Sequence, residues 1–175
     1  KKYGAKVPFI RPTELSTDMA QSYPVVIHAL EFMEKLNGSE YDINVMLQPT
    51  SPFRKTQHID KSIEMLIESK ADTVVTVSNV GASHPLRMKK LVGEENYLVN
   101  YIDQGFENMK PRQVLPDVYI RNGAVYASTK KSLYKDKSLV GLDCRGYEMN
   151  EYDSINIDSM IDMKIAELIK NEEMS

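Results

Sequence analysis

Gln48, Thr50, Ser51 and Arg54 follow directly on the apolar run Ile43–Leu47, in the stretch INVMLQPTSPFR. An amide, two hydroxyls and a guanidinium make a set of donors and acceptors suited to binding a polar ligand. Pro49 and Pro52 each lack an N–H and fix φ, so these groups are held rather than floppy. A polar, proline-containing loop after a strand is by itself more commonly a connection than a site, and both readings stand on the residues alone. The other groups that could do chemistry offer less. His28, His58 and His84 are widely separated, show no metal-ligand spacing, and are assigned no chemistry.

The elements that must hold this loop are readable from the apolar period. AKVPFI is a short apolar segment whose Pro8 suits a strand end or edge, followed by the loop-like RPTELSTD. Ser22 is placed to cap a helix over roughly 23 to 36, with Pro24 in its first turn, Val26, Leu30 and Met33 at helical spacing, and Asn37-Gly38 ending it. INVML is a continuous apolar run of strand length, the pattern of a central strand covered on both faces. Ile59, Ile63, Leu66 and Ile67 form a second helical stripe, and DTVVTVS is another β-branched run. The alternation predicts a parallel sheet with crossover helices, whose ligands bind beyond the carboxyl ends of the strands, where Gln48–Arg54 lies.

From Gly81 the regularity breaks. HPLRMKKL, YLVNYI and VYIRNGAVYAS read as short strands with long polar connections, an excursion beside the sheet. INID then leads into a last helix carrying Ile161, Ile165, Leu168 and Ile169, with Asp158 placed to cap it.

With 175 residues and 42% hydrophobic content, the chain can close a core of its own, and one domain over 1–175 is expected. A net charge of -3 with mixed signs excludes the basic stripe of a nucleic-acid binder. Cys144 is the only cysteine, which excludes an intrachain disulfide and favours a reducing, cytoplasmic compartment. No apolar run reaches the ~18 residues of a membrane span, so a soluble protein is expected. The ten methionines read as core filler.

LQPTSPFR resembles the LQPTSPLR signature of the CMP-sialic acid synthetases, cytidylyltransferases that activate acylneuraminic acid and related nine-carbon keto sugar acids. Four further blocks follow in order: RPTELSTDMAQS resembles RPAELASD, HPLRMKK resembles HPLK, PRQVLPDVYIRNGAVYAS resembles RQ-LP and NGAIYI, and DSINID resembles SIDID. The resemblance implies a Rossmann-like, three-layer α/β/α nucleotidyltransferase domain with a mostly parallel sheet and a β-rich dimerisation arm over approximately 81–125. It implies a homodimer using CTP, a nonulosonic acid and Mg²⁺. The sugar's anomeric hydroxyl attacks the α-phosphorus of CTP and pyrophosphate leaves, a reaction that depends on positioning and charge stabilisation.

Carried onto this chain, the resemblance gives Arg11 and Ser22 to the nucleotide and Gln48 to the sugar. Arg112 is assigned to the sugar carboxylate, where a bidentate guanidinium selects for an acid, and with Asp158 it is the expected catalytic pair. Asn122, Gly123 and Tyr126 are expected to line the sugar side. Two positions depart from the pattern. Arg87 stands where the family has a lysine reaching across the dimer, and Asn156 precedes Asp158 where the family has two carboxylates for metal. Asp158 with Asn156 as a neutral partner is the expected Mg²⁺ set.

The basic, glycine-containing triphosphate loop that opens the family, similar to ARxGSKGxPxKN, is not matched within this sequence, and an N-terminally truncated chain is expected. The alternative to an enzyme is then a non-catalytic remnant or dimerising module of the same fold. The sugar stays open among sialic, legionaminic, pseudaminic and other acids, since Arg112 would grip the carboxylate common to all.

Overall fold

A computed structural model of the chain describes residues 2–103, 105 and 109–173; Lys1 and, within the expected arm, Gln104 and residues 106–108 lie outside the described residues. The architecture is α/β, with four helices, a four-stranded sheet of order β1-β5-β2-β6 and a two-stranded sheet β3-β4 among the described residues. The strands are β1 (Ile43–Met46), β2 (Thr73–Asn79), β3 (Lys89–Val92), β4 (Tyr97–Asn100), β5 (Tyr119–Thr129) and β6 (Cys144–Glu148); the helices are α1 (Ser22–Asn37), α2 (Thr56–Ser69), α3 (Lys130–Asp136) and α4 (Met160–Glu173). No helix among the described residues is long and apolar enough to cross a membrane.

The chain forms two compact units: the first is Lys1–Gln48, Thr56–Val75 and Val125–Tyr147, the second Pro49–Lys55, Thr76–Ala124 and Glu148–Ser175. In the first, α1 turns its Val26 and Leu30 onto Leu133 of α3, with Tyr23, Ile27, Tyr41, Met46 and Leu139 around them. Gly38 ends α1 as the sequence predicts: at φ 62° it takes the left-handed conformation and donates its N–H to Glu34 O at 2.9 Å. Lys130 Nζ meets Glu34 at 2.8 Å and ties α3 to α1. This bond holds the Glu34 carboxyl below its usual value and raises the Lys130 ammonium.

Three expectations are corrected in this unit. Ser22 does not cap α1: it is the first helical residue, and the N-cap is Gln21, whose side chain makes no capping bond. β1 is not a central strand. It stands at the end of the strand order, pairs antiparallel with β5, Ile43 opposite Thr129 and Met46 opposite Tyr126, and is half-buried throughout. An apolar run alone does not distinguish a strand covered on both faces from one at an edge. AKVPFI forms no strand: Pro8 offers no N–H, Val7 and Ile10 are exposed, and Phe9 lies against His28 and Phe32 of α1, with ring centroids 5.1 and 4.7 Å away.

Of the expected excursion, only HPLRMKKL and YLVNYI supply short strands outside the four-stranded sheet; VYIRNGAVYAS is instead β5, which lies between β1 and β2 in that sheet. β3 and β4 form a hairpin in which Leu91 lies opposite Leu98 and Val92 opposite Tyr97, all four exposed. Before it, a 3₁₀ turn Pro85–Arg87 is capped by the buried His84, whose Nδ1 accepts the Leu86 N–H at 3.1 Å while Nε2 meets Pro116 O at 3.0 Å. His84 therefore has a structural task.

Candidate functional site

The proline-stiffened loop is laid against the first half of β5 by side chains that reach backbone carbonyls. The buried Ser51 hydroxyl donates to Asn122 O at 3.2 Å and Arg54 to Ala124 O at 3.0 Å, one on each side of Gly123. Burial pushes the Arg54 guanidinium below its ordinary value, and it stays charged at neutral pH. Gly123 has φ 76° in the middle of a buried strand, a conformation that residues with a Cβ resist, which explains a glycine here.

Asn122 has a different position from the expected one. It is 5% exposed, and its amide is engaged by protein: Nδ2 donates to Ser154 Oγ at 3.0 Å and lies 3.4 Å from Met149 Sδ, while Oδ1 accepts the Ala124 N–H at 3.2 Å. It holds residues 149–154 in place rather than standing open to a sugar.

The next residues carry the acidic rim. Ile157 donates its N–H to Thr50 O at 2.8 Å, so the segment bearing Asn156 and Asp158 is stitched to the loop. The predicted cap is not Asp158. The Asp162 carboxylate takes the Ser159 hydroxyl and N–H, both at 2.7 Å, and the Asp158 N–H at 3.1 Å. These bonds, the Ser159 hydroxyl foremost, hold Asp162 below the usual carboxylate range. With capping done by a Ser-x-x-Asp pair, the exposed Asp158 carboxylate is left to the rim, where it accepts from Asn156 Nδ2 at 2.6 Å. The other atom of that amide, Asn156 Oδ1, is buried and has no hydrogen-bond partner among the described residues.

Arg112 begins a 3₁₀ turn, Arg112–Val114, and forms one wall of a hollow of about 470 Å³ whose other walls are Ser78–Ser83 and Glu148–Glu151. Met149 N–H donates to Val77 O at 2.8 Å, which joins those walls, and Met149 is the residue Asn122 touches. Hollow and acidic rim are thus consecutive parts of the segment 148–158. Glu148 accepts from the Tyr119 hydroxyl, which raises that phenol above its ordinary value. Arg87 stands exposed before the hairpin. Arg11, Ser22, Gln48 and Tyr126 belong to the first unit: Arg11 reaches Leu15 O at 3.5 Å, Ser22 is exposed, and Gln48 and Tyr126 are half-buried.

The donor set can be weighed for a cation. Among the described residues no group of three or more His, Cys, Asp or Glu could hold a metal by itself. One exposed carboxylate beside an orphaned buried carbonyl oxygen fits a hard cation that completes its shell from substrate phosphates.

Over 158 residues, 87% of this chain, the sequence is 33% identical to the N-acylneuraminate cytidylyltransferase of Streptococcus agalactiae serotype V. By sequence, the chain is a homologue of the acylneuraminate cytidylyltransferases. It is also 29% identical over 170 residues to the CMP-N,N'-diacetyllegionaminic acid synthase of Legionella pneumophila, and 24% identical over 168 to a pseudaminic acid cytidylyltransferase of Campylobacter jejuni. It spans 35% of the length of the streptococcal protein and 69% of the Legionella one. No family model matches it. The fold resembles that of a CMP:2-keto-3-deoxy-manno-octonic acid synthetase solved with CTP, with a TM-score of 0.52 at 13% identity over 89% of this chain and 70% of that one.

Sequence reasoning counted Arg54 among the loop's donors but gave it no task of its own, and it passed over Ser154; the two help to hold the loop and residues 149–154 against β5. Arg54 lies inside the quoted motif, and a guanidinium in a loop already stiffened by two prolines was a usable signal. Ser154 carried none, because its partner Asn122 is distant in sequence.

Proposed function

We propose that this chain belongs to a nucleotidyltransferase that moves CMP from CTP to the anomeric hydroxyl of a nonulosonic acid. An oxygen–phosphorus bond forms at the α-phosphorus, the bond to the β-phosphate oxygen breaks, pyrophosphate leaves, and the hydroxyl proton passes to solvent or a base. The observation that carries the reading is the continuity of residues 148–158, which wall an arginine-lined hollow at one end and bear the Asn156–Asp158 rim at the other.

In this reading Arg112 grips the sugar carboxylate with its planar fork, and the hollow holds the sugar body. Glu148 and Glu151 on the facing wall accept from sugar hydroxyls. Asp158 and Asn156 hold a divalent cation, Mg²⁺, which when bound neutralises charge on the phosphate oxygens. Arg11 and Ser22 contact the nucleotide, Gln48 and Tyr126 the sugar; Ser22 is supported by its freedom from capping. Gly123 lets the loop lie close to β5.

The hairpin β3–β4 and its flanks form a dimerisation arm, and Arg87 serves the partner's site. Support comes from the hairpin itself: two strands are marginal alone, and Leu91, Tyr97, Leu98 and Tyr101 are each more than 60% exposed. A cytoplasmic location is supported by the single cysteine.

The test is pyrophosphate release from CTP and Mg²⁺ by the full chain, offered a panel of nonulosonic acids. At least one acid should support turnover, and Arg112→Ala and Asp158→Ala should each abolish it. Silence with every acid would favour a non-catalytic module, and turnover unaffected by both substitutions would refute the site.

A further inference from the structure

Asp153 is a carboxylate in an unexpected place, only 2% exposed. One oxygen lies 2.7 Å from Lys55 Nζ at the end of the proline-stiffened loop. The other accepts from Asn150 Nδ2 at 2.7 Å, and the Asp153 N–H returns a bond to Asn150 Oδ1 at 2.8 Å. The pair is lopsided, since the Lys55 side chain is 52% exposed and the Asp153 side chain 3%.

Removing a carboxylate from water costs several kcal/mol before pairing, and an apolar residue of similar volume often serves stability as well. A charge kept there needs a reason in geometry. Flanking bonds supply one. Ser154 is held by Asn122 at 3.0 Å and Ile157 by Thr50 at 2.8 Å, so the Lys55–Asp153 bond adds a charged link to the hydrogen bonds fastening residues 153–157 to the loop and to β5. Asn156 and Asp158 sit on either side of the last link.

We infer that Asp153 and Lys55 are positioning residues, an ion-pair clamp that sets where the Asn156 oxygen and the Asp158 carboxylate stand relative to the loop. The consequence for turnover rests on the nucleotidyl-transfer reading; the clamp itself does not.

Two variants of the full chain test it, Asp153→Asn and Lys55→Met, with Lys61→Met, which breaks the exposed Lys61–Glu64 pair, as control. Hydrogen exchange at the Ile157 amide should quicken about tenfold or more in both variants and stay unchanged in the control. The Mg²⁺ concentration for half-maximal turnover should rise about tenfold in each. The double variant should be no worse than the more affected single, as members of one interaction behave. Should Asp153→Asn fail to fold, Lys55→Met, altered at a half-exposed side chain, decides alone. Unchanged Ile157 exchange overturns the clamp. A lower Tm with an unmoved Mg²⁺ requirement reduces the pair to a structural one and overturns the positioning role. A parent chain silent with every sugar acid would sink the functional reading instead, and Ile157 exchange would still decide the clamp.

Discussion

Asn156 Nδ2 donates to the Asp158 carboxylate across 2.6 Å, while the amide's own oxygen is buried without a partner among the described residues. The bond occupies one oxygen of the Asp158 carboxylate without satisfying the amide's oxygen. Asn156→Asp puts a second negative oxygen where the orphan lies. Two carboxylates this close repel without a cation and attract one strongly. The Mg²⁺ concentration for half-maximal turnover should fall about tenfold, and Tm measured in chelator should drop and recover on adding Mg²⁺. An unchanged metal requirement would remove Asn156 from the metal set.

The start of α4 should be acid-sensitive. Asp162 is held below its usual value by the Ser159 hydroxyl and by two backbone N–H groups. A carboxyl with a depressed folded pKa adds stability above its unfolded pKa and loses it as pH falls through the folded one. Below the ordinary carboxylate range, exchange at the Asp158 and Ser159 amides should therefore accelerate before the rest of the chain melts. Asp162→Asn should bring the same fraying to neutral pH. Equal protection of these amides from neutral to acid pH in the parent chain would contradict the cap.

Gly123→Ala should be costly despite its small size. The φ of 76° in a buried stretch of β5 is strained for any residue with a Cβ, at about 1–3 kcal/mol. The loop bonds from Ser51 and Arg54 to the neighbouring carbonyls would shift with it. Denaturant unfolding should show the loss, and turnover should fall further than stability explains. A variant as stable as the parent would mean that β5 relaxes here without strain.

Leu98→Lys tests the arm. Leu98 is 68% exposed and lies opposite Leu91, itself 64% exposed. In a monomer such a surface change stays within about 0.5 kcal/mol, so the fold should survive. Sedimentation velocity should report the parent chain as a dimer and the variant as a monomer; identical sedimentation of the two would argue against the hairpin as the interface.

Much of the fold was legible because period and punctuation are local. The apolar stripe of α1, its stop at Gly38 and the β-branched run of β2 all appear where the sequence predicts them, whereas VYIRNGAVYAS, read as part of the excursion, is a strand of the main sheet. The site was half legible. Arg112 and Asp158 could be singled out by their motif neighbours, whereas Asp153 and Ser154 acquire meaning only from Lys55 and Asn122, far away in the chain.

By itself, then, the sequence determined the periods, the stiffness of a loop carrying two prolines, the sign of each charge and the kinship with the acylneuraminate cytidylyltransferases. Only the tertiary structure decided which polar groups are already engaged. Ser22 and Asp158 both read as caps, yet a cap exists only where a side-chain oxygen meets an N–H group of the first turn, and at α4 Ser159 Oγ accepts the Asp162 N–H at 3.5 Å while the Asp162 carboxylate returns to the Ser159 N–H. It also decided that β1 lies at the end of the sheet, because pairing depends on which strands the crossovers bring alongside and not on how apolar a strand is.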